Sequence, residues 1–338
     1  MRSPGPDDLP EVAVAMLYHS KLGCVLGEAL EAIYRQDYPK SKIHLILADN
    51  MSRDDAHAIV EKWLEKCRRA GYASITHVRV PGNVPHVRNV CLRIAISKGL
   101  KLLFFVDSDV ILTPDSLRRV VRTFLSSGDR VFVVALPYFI PLENDSLFVR
   151  VKVKYGKGPY RPLLRRDKPY EVPSIGMGAT LINLDLIPVV GFFDEEIPYI
   201  EDLNLTRRAV RLGYKVLLDP RVQLLHKKRV TTLQSLKKVF QTGPSELLNI
   251  KRNRLYKEEV RSLTYWSAWL ISLVLVPVSP VPLIALTALG WLVYSMRFRG
   301  WGKLVGYPVM AVYRVVRLLG MMWGLLVLAH RRIRGKSR

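Results

Sequence analysis

The sequence predicts an α/β fold, in which a parallel sheet carries crossover helices, followed by a C-terminal part that associates with a membrane. From Val12 onward, apolar runs of strand length alternate with stretches whose apolar residues recur at helical spacing, which is typical of such sheets. Residues 251–338 contain 15 Lys and Arg but only two acidic residues, together with the longest apolar runs. Basic residues beside apolar spans indicate a membrane anchor with cytoplasmic ends.

The composition excludes several classes of protein. Of the 338 residues, 49% are hydrophobic and 24% are charged, which excludes a disordered or collagen-like chain. The formal net charge of +23 is compatible with binding to nucleic acid, an anionic membrane surface or a phosphate-rich substrate. Because the excess charge is concentrated beside the apolar runs, we expect an anionic membrane surface as a partner and no nucleic acid.

The N-terminal residues and the cysteines predict a reducing compartment. Residues 1–10 contain three prolines and a glycine before the first predicted strand and no apolar segment of the kind found in signal peptides. Cys24, Cys67 and Cys91 form no CxxC pair and lie in apolar helical patterns, so we expect buried free thiols. We therefore expect a cell-membrane protein whose catalytic domain faces the cytoplasm.

The individual elements follow from the periodicity of the apolar residues. The run at 102–106 is apolar throughout and predicts a central strand that is buried on both faces. Thr113 as a cap and Pro114 at the first helical position predict the start of the fourth helix. The predicted strands cover residues 12–17, 43–48, 75–80, 102–106 and 130–136, and the predicted helices cover residues 22–33, 56–70, 87–97 and 113–125.

Residues 150–170 interrupt this alternation. They include eight Lys and Arg, two Gly and three Pro, which predicts a mobile basic loop that is either a solvated surface loop or a loop that closes over phosphates. Three tyrosines lie among these cations, and a basic surface interleaved with aromatic residues is also typical of nucleic-acid-binding proteins. That alternative leaves the apolar C-terminal segments without an explanation.

The C-terminal part divides into three segments. Residues 233–262 are amphipathic and basic and are predicted to lie in the headgroup layer. Residues 263–296 carry no charge and have three prolines near the middle, which predicts two short helices folded as a hairpin that crosses the membrane twice. Arg314 and Arg317 favour an interfacial position for the last apolar stretch, 304–329. The predicted domains are a loose tail (1–10), a catalytic domain (11–232), interfacial helices (233–262), and the hairpin with the last helix (263–338).

A pair of carboxylates follows the central predicted strand. Asp107 and Asp109, separated by Ser108, come directly after residue 106, and ligands of open α/β sheets bind at the carboxyl ends of the strands. Two carboxylates at this spacing suit a hard divalent cation that bridges a diphosphate, so we expect Mg²⁺ or Mn²⁺. His226, at the end of a later strand-like run, is a candidate third ligand.

Acidic residues at two further places predict binding and catalysis. Asp49 ends the second predicted strand, where a carboxylate can accept hydrogen bonds from a nucleotide's base or ribose. Glu201 and Asp202 begin a helical pattern that Gly213 closes. The helix dipole favours carboxylates in that first turn, and one of them is a candidate general base.

In this order, these residues resemble the inverting glycosyltransferase family 2 and its GT-A fold. The resemblance rests on Asp49, Arg88-Asn89, the carboxylate pair, the acidic Glu201-Asp202 and the later histidine. It also rests on VGFFDEEIPYIEDLNLTRRAVRLGYKVLLDP, residues 190–220, which is similar to the acceptor-side signature of that family. The resemblance covers residues 11–228 and implies a mixed, mostly parallel sheet.

The resemblance implies a role for each candidate residue. Asp49 would contact the base, and Tyr18 and His19 would line its pocket. The nucleotide sugar would also be bound by Arg88, Asn89, Asp107 and Ser108. The metal would be bound by Asp107, Asp109 and His226. The catalytic residue would be Asp202, with Glu201 beside it.

The implied function is the transfer of one sugar, with inversion, from a nucleotide-diphosphate sugar to a membrane-associated acceptor. The acceptor would be a lipid-linked sugar or a polyprenyl phosphate. Processive members carry QxxRW, whereas residues 251–256 read KRNRLY, which favours transfer of a single sugar. A nucleotidyltransferase on a similar sheet is the alternative enzyme, but residues 22–24, LGC, do not resemble the Gly-rich basic loop of such enzymes.

Overall fold

The computed structural model describes residues 9–19, 23–140, 146–155, 167–227, 230–253, 257–296, 298 and 300–335. The chain divides into two compact units. Residues 1–139 and 162–228 form one, which we call the sheet unit, and residues 140–161 and 229–338 form the other, the helical unit.

The strands all lie in the sheet unit. In chain order they are β1 (Val12–Tyr18), β2 (Ile43–Asp49), β3 (Ser74–Arg79), β4 (Leu102–Asp107), β5 (Val110–Ile111), β6 (Val131–Ala135), β7 (Tyr138–Phe139), β8 (Tyr170–Glu171), β9 (Ala179–Asn183), β10 (Lys215–Leu218) and β11 (Leu224–His226).

The helices are distributed over both units. Those of the sheet unit are α1 (Gly23–Tyr34), α2 (Ala56–Arg69), α3 (Val84–Ser97), α4 (Ser116–Ser126), α6 (Ile187–Val190) and α7 (Glu201–Arg211), and those of the helical unit are α5 (Leu147–Tyr155), α8 (Thr232–Asn253), α9 (Lys257–Val274), α10 (Val281–Ser295) and α11 (Gly302–Gly335).

The strands form two sheets. The larger has the order β3-β2-β1-β4-β9-β6-β10-β8. Its strands are parallel except β9, which is antiparallel to β4 and β6, and β8, which is antiparallel to β10. The smaller sheet has the order β5-β11-β7. The predicted mixed, mostly parallel α/β fold is therefore confirmed.

Helices cover both faces of the larger sheet. Side chains along a strand point alternately to opposite faces. Met16 of β1 joins a buried core with Leu30 of α1, whereas Ala15 joins a second core with Leu92 of α3. Burial on both faces explains why these strands are continuous apolar runs in the sequence.

The predicted strands and helices of the first 136 residues agree with the structure, except that two helices begin elsewhere. α3 begins at Val84 because the Asn83 side chain accepts a hydrogen bond from the backbone N–H of His86 at 3.1 Å. α4 begins at Ser116 rather than at Pro114. The Thr113 hydroxyl donates to the Asp115 carboxylate at 2.7 Å, which holds residues 113–115 in a turn ahead of the helix.

The basic segment 150–170 is not a loop throughout. Its first six residues belong to α5, which packs against α8 and α11 within the helical unit. Residues 156–166 of the predicted loop lie outside the described residues, so the prediction that it closes over phosphates stays a prediction.

Helices α8 and α11 approach each other at backbone distance. A Cβ atom at Gly320 would lie 2.2 Å from the carbonyl oxygen of Phe240, and one at Gly243 would lie 2.1 Å from the carbonyl carbon of Gly320. Only glycine fits at such separations. Gly320 and Gly324 are four residues apart and form the small-residue pattern that lets helices pack closely.

The charge-free segment 263–296 consists of most of α9 and all of α10, with a break between Val274 and Val281. The Tyr265 hydroxyl donates to the Leu286 carbonyl at 2.7 Å, and the indole N–H of Trp269 donates to Thr287 at 3.0 Å. These bonds hold the two helices side by side.

The apolar helix that is long enough to cross a membrane is α11. Among the described residues, Gly302–Val327 meets the length and composition of a span, with 26 residues. The sequence placed a hairpin with two crossings in 263–296, where α10 has 15 residues against the roughly 20 that one crossing needs; the number of crossings stays a prediction. In the sequence, Arg317 predicted an interfacial position for this helix. In the structure, Arg317 Nε lies 2.5 Å from Glu246 Oε2 of α8, so the charge has a partner inside the helical unit.

Candidate active site

One end of the site lies where β1 and β2 finish side by side. Tyr18, Asp49 and Arg79 occupy one level of the sheet, because Tyr18 pairs with Asp49 and Asp49 pairs with Arg79. Asp49 is fully buried. One of its oxygens accepts the backbone N–H of Ser52 at 2.7 Å, and the other is 3.2 Å from Arg79 Nε. The carboxylate is therefore held in a fixed position at the end of β2.

Tyr18 and His19 follow at the end of β1. The Tyr18 side chain is buried, and its hydroxyl lies 2.7 Å from His77 Nε2. Burial, followed by the negative charge of Asp49, raises the pKa of Tyr18, so the phenol keeps its proton. His19 is exposed and donates from Nδ1 to the Asn50 carbonyl at 2.7 Å. Both predicted pocket residues therefore lie at the same strand end as Asp49.

The two carboxylates of the sequence pair lie in different surroundings. Asp107 ends β4, its side chain is 41% exposed, and it accepts a hydrogen bond from the Arg88 guanidinium at 3.3 Å. Ser108 and Asp109 are buried in the turn that follows. The pair thus offers one accessible carboxylate and one enclosed carboxylate.

A buried ion pair connects this turn to α7. Arg88 of α3 donates to Glu201 at 2.5 Å, and both side chains are less than a tenth exposed. Burial raises the pKa of Glu201, Arg88 opposes the rise, and the charge of Asp202 adds to it. Glu201 and Asp107 more than offset the effect of burial on Arg88 and raise its pKa, so the guanidinium stays charged and bridges the two carboxylates.

Asp202 lies one residue after Glu201, in the first turn of α7. One carboxylate oxygen accepts the backbone N–H of Leu203 at 2.7 Å. The residue before the helix, Ile200, has φ +60°, a left-handed conformation that is strained for a β-branched side chain. The left-handed residue turns the chain into α7, whose first turn contains Glu201 and Asp202.

Two glycines let the carboxylates come together. A Cβ atom at Gly176 would lie 3.2 Å from an Asp202 oxygen, and one at Gly178 would lie 3.4 Å from an Asp107 oxygen and 3.0 Å from Tyr138 Cε1. Asp107, Asp202 and Tyr138 therefore line one glycine-containing segment. The sequence reasoning missed Tyr138 and both glycines, although the G-M-G pattern before an apolar run was a visible signal.

Asp109 and His226 meet through strand pairing. His226 is paired with Val110 across β5 and β11, which brings His226 Nε2 within 3.0 Å of Asp109 Oδ1. The imidazole also packs edge-on against Tyr138, with ring centroids 4.8 Å apart. The predicted proximity of this histidine to the carboxylate pair is thus present in the structure.

The Asp109 and His226 side chains fit a divalent cation. Both ring nitrogens of His226 are buried and make no hydrogen bond with the described part of the chain. In an octahedral site with ligand distances of about 2.1 Å, neighbouring ligand atoms lie about 3 Å apart. The 3.0 Å separation of Nε2 and Oδ1 matches two neighbouring ligands of one Mg²⁺ or Mn²⁺ ion.

Asn89, which was predicted to bind the nucleotide sugar, has other partners. Its side-chain oxygen accepts the backbone N–H of Phe193 at 2.9 Å, and its amide donates to the Phe193 carbonyl and to Glu195. The residue is 1% exposed. Asn89 therefore holds the segment that leads to α7.

These groups follow the carboxyl ends of β2, β1 and β4 in that order. Tyr18 pairs with Asp49, and Leu17 pairs with Asp107. Because neighbouring strands are about 4.8 Å apart, the ends of β2 and β4 are separated by about 10 Å. These polar side chains form a row along the edge of the sheet. Asp49 lies at one end of the row, and toward the other end lie Asp107, Asp202 and the Asp109–His226 pair.

Comparison with known proteins gives a family match for more than half of the chain. The sequence model of the family described as Glycosyl transferase family 2 matches residues 14–187. A curated relative, the poly(ribitol-phosphate) beta-N-acetylglucosaminyltransferase TarS of Staphylococcus aureus, is 24% identical over an alignment of 199 positions that covers 54% of this chain. The chain spans only 30% of the length of that relative.

Solved structures with little sequence identity share the fold. The mannosyltransferase PcManGT of Pyrobaculum calidifontis, in complex with GDP-Man and Mn²⁺, has a TM-score of 0.60 at 16% identity and covers 95% of this chain and 89% of its own. GalNAc-T7, with UDP, GalNAc and Mn²⁺, has a TM-score of 0.55 at 14% identity and covers 79% and 51%. Residues 1–349 of S. aureus TarS have a TM-score of 0.50 at 17% identity, covering 73% and 67%.

Proposed function

The chain belongs to glycosyltransferase family 2, and from this premise we propose that it moves one sugar from a nucleoside diphosphate sugar to a membrane-associated acceptor, with inversion and with a divalent cation. The observation that carries the proposal is the convergence of Asp107, Asp202, Asp109 and His226 around Tyr138 and the Gly176–Gly178 segment. Two of the structural neighbours were solved with a nucleotide or nucleotide sugar and Mn²⁺, which supports the donor class and the metal.

We assign the nucleotide to the β1–β2 end of the row. Asp49, supported by Arg79, is the candidate acceptor for donor groups of the base, and the protonated Tyr18 phenol closes the pocket beside it. The diphosphate then extends toward β4. Arg88 is the nearby cation and is already hydrogen-bonded to Asp107, so we assign it to holding Asp107 in place rather than to direct phosphate binding.

We assign the cation to Asp109 and His226, with Asp107 turned toward the diphosphate. A divalent ion, when bound, supplies positive charge against the negative charge that develops on the departing diphosphate. The chain's own contribution is to hold the two ligand atoms 3.0 Å apart and to enclose them, since Asp109 and His226 are each less than a tenth exposed.

We assign the general base to Asp202. Its partner Glu201 is committed to the buried pair with Arg88, whereas Asp202 keeps one oxygen directed at the Gly176 position. A carboxylate there can take the proton of an acceptor hydroxyl as the oxygen attacks the anomeric carbon from the side opposite the diphosphate. Attack from that side inverts the configuration.

A panel of nucleotide sugars tests the donor and the metal together. Thermal unfolding of the full chain would be followed with UDP-, GDP- and CDP-linked sugars, each with and without MnCl₂. Because a ligand of the native state raises the apparent stability, we expect one nucleotide to raise the Tm in a Mn²⁺-dependent way. Asp109→Asn should lose the Mn²⁺-dependent part, and Asp129→Asn, an exposed residue before β6, should keep it. Equal shifts with and without Mn²⁺ would contradict the metal assignment.

Replacement of Asp202 by Asn tests the base. With water as acceptor, release of nucleoside diphosphate should fall by roughly 10²- to 10⁴-fold, as is typical for loss of a general base, while the nucleotide sugar still raises the Tm. A phosphate acceptor is already an anion and needs no base. If Asp202→Asn loses turnover with water but retains it with polyprenyl phosphate, the acceptor is a lipid phosphate. Full turnover with water would remove Asp202 from the mechanism.

We also propose that the protein is held at the cytoplasmic face of the cell membrane. The support is the apolar Gly302–Val327 helix and the net charge of +13 over residues 251–338, which suits an anionic lipid surface. That position suits an acceptor that is itself carried by a lipid.

A further inference from the structure

Beside the nucleotide end lies a cluster of three metal-ligating side chains to which no role has been assigned. His57 and Glu61 are four residues apart on α2, so they lie on the same face of that helix. His77 projects from β3 next to them. One ligand atom from each of the three residues lies within 4.8 Å of the other two.

On the side away from Glu61, His77 has a hydrogen-bond partner of the kind that orients metal ligands, and His57 has a carboxylate close to it without a hydrogen bond. His77 Nε2 lies 2.7 Å from the Tyr18 hydroxyl, and His57 Nδ1 lies 3.4 Å from an oxygen of Asp49. Metal-binding histidines usually donate their second ring N–H to a carboxylate or another acceptor, which fixes the tautomer and the ring orientation. His77 Nδ1 and His57 Nε2 then face Glu61.

The separations between the ligand atoms lie on either side of the value for a tetrahedral site, so the side chains would have to move to hold an ion. His77 Nδ1 is hydrogen-bonded to Glu61 Oε1 at 2.5 Å, a bond that an ion would replace, and His57 Nε2 is 4.0 Å from the same oxygen. A tetrahedral ion with ligands at about 2.0–2.1 Å needs ligand atoms about 3.4 Å apart, a value between the two. Small rotations of His57 and Glu61, whose side chains are each 44% exposed, would bring the set to that geometry.

The chemistry of the three ligands selects the ion. Two imidazoles and one carboxylate suit a borderline ion such as Zn²⁺, with a fourth position left for water, rather than Mg²⁺, which prefers oxygen ligands. The cluster is also separate from Asp109 and His226. Its histidine His77 lies on β3, which is three strand spacings, or about 14 Å, from β4.

We propose that His57, Glu61 and His77 form a binding site for a zinc-class divalent ion. The ion would be held by side chains whose outer partners, Tyr18 and Asp49, form the nucleotide end of the active site. The site is distinct from the cation site that we assign to Asp109 and His226, and its existence does not depend on which nucleotide the enzyme uses.

Titration calorimetry with ZnCl₂ alone, on the full chain in detergent, tests the proposal. We expect one zinc ion per chain to bind through the cluster and the affinity to fall at least tenfold in both His57→Gln and Glu61→Gln. Glu65→Gln is the matched control, because Glu65 is an exposed glutamate one turn further along α2. His226→Gln should retain the zinc ion, since it belongs to the other site.

Co²⁺ gives a second readout that does not depend on the titration. A cobalt ion in a tetrahedral site of mixed nitrogen and oxygen ligands has visible absorption bands, which we expect in the wild type and in Glu65→Gln but not in His77→Gln. Circular dichroism would establish that each variant is folded. The proposal is overturned if the wild type takes up no zinc, or if His57→Gln and Glu61→Gln bind it as tightly as the wild type.

Discussion

Gly178 determines how closely Asp107 and Tyr138 approach each other. Tyr138 Cε1 occupies the space next to the missing Cβ, at 3.0 Å from its position. The absence of a side chain at this point is therefore part of the active site, since Tyr138 also packs on His226. A methyl group would displace the tyrosine by a few tenths of an ångström.

We expect Gly178→Ala to reduce turnover by roughly tenfold or more, because small displacements of catalytic groups have large effects on rate. The free energy of unfolding should change by no more than about 1 kcal/mol, since the clash is with one side chain. Steady-state rates and chemical denaturation would measure both. Gly27→Ala is the control: Gly27 lies within α1 and has nothing within 4 Å of its Cβ position, so turnover should be unchanged.

The Arg88–Glu201 pair is the second place where one side chain decides the site. Both residues are buried, and removal of one partner leaves a charge without compensation, which typically costs 3–5 kcal/mol, whereas apolar replacement of both is much milder. We therefore expect Arg88→Met to lower the free energy of unfolding by about 3 kcal/mol, and Arg88→Met with Glu201→Met to recover most of it. Equal loss in the single and double variants would contradict the pairing.

The effect of Arg88→Met should depend on pH. Burial raises the pKa of Glu201 in the folded state above its unfolded value of about 4.3. Below the unfolded value, Glu201 is protonated in both states and needs no partner. As the pH rises through the pKa of Glu201 in the folded state, Glu201 becomes a buried charge. The difference in the free energy of unfolding between Arg88→Met and the wild type then grows. Urea denaturation at pH 4 and pH 7.5 should give a smaller difference from the wild type at pH 4.

The start of α7 shows how an element directs its side chains. Ile200 has φ +60°, a backbone conformation that costs about 1–3 kcal/mol for residues other than glycine. The side chain is only partly buried, so little packing offsets that strain. The strained residue directly precedes Glu201 and Asp202, which the helix presents to the site.

We expect Ile200→Gly to leave the melting temperature unchanged or to raise it by a few degrees, because glycine adopts this conformation without strain. Turnover should fall, since the helix start becomes free to move and Asp202 loses its fixed direction. Differential scanning fluorimetry and rate measurements would test both. In contrast, Ile197→Gly, at a fully buried position, should lower the melting temperature strongly, which separates strain from packing.

Of the formal net charge of +23, +13 lies in residues 251–338, which belong to the helical unit and also contain the longest apolar runs. Of the helices that the structure describes, α11 has the length and composition of a membrane span, and Leu325 and Leu326 on it are 56% and 64% exposed. Exposed leucines in a long apolar helix would be covered by lipid, at about 1.5–3 kcal/mol each.

We expect the double replacement Leu325→Gln, Leu326→Gln to lower co-flotation with liposomes of anionic phospholipid at least tenfold. The control carries the same number of changes at exposed apolar positions of the sheet unit, Val189→Gln and Leu212→Gln, and should float like the wild type. If the two double variants float equally, membrane binding does not depend on α11.

The sequence by itself determined what depends on neighbouring residues. The apolar periods located β1, β2 and β4 and the helices between them, and Asp49 and Asp107 were identified because each directly follows an apolar run at the end of a strand. The order of these elements was also sufficient for the family resemblance, which the match to residues 14–187 confirmed. The sequence located helix starts less well. The start of α4 depends on the hydrogen bond between Thr113 and Asp115, which holds these residues in a turn ahead of the helix.

Only the tertiary structure decided which distant residues meet. The partner of Asp109 follows from the pairing of β11 with β5, and the glycines of the site follow from the segment before β9 that passes between Asp107 and Asp202. The cluster of His57, Glu61 and His77 likewise joins a helix to a strand 16 residues or more away. Such contacts depend on register and on close packing between segments that are far apart in the chain, and neither leaves a periodic signal in the sequence.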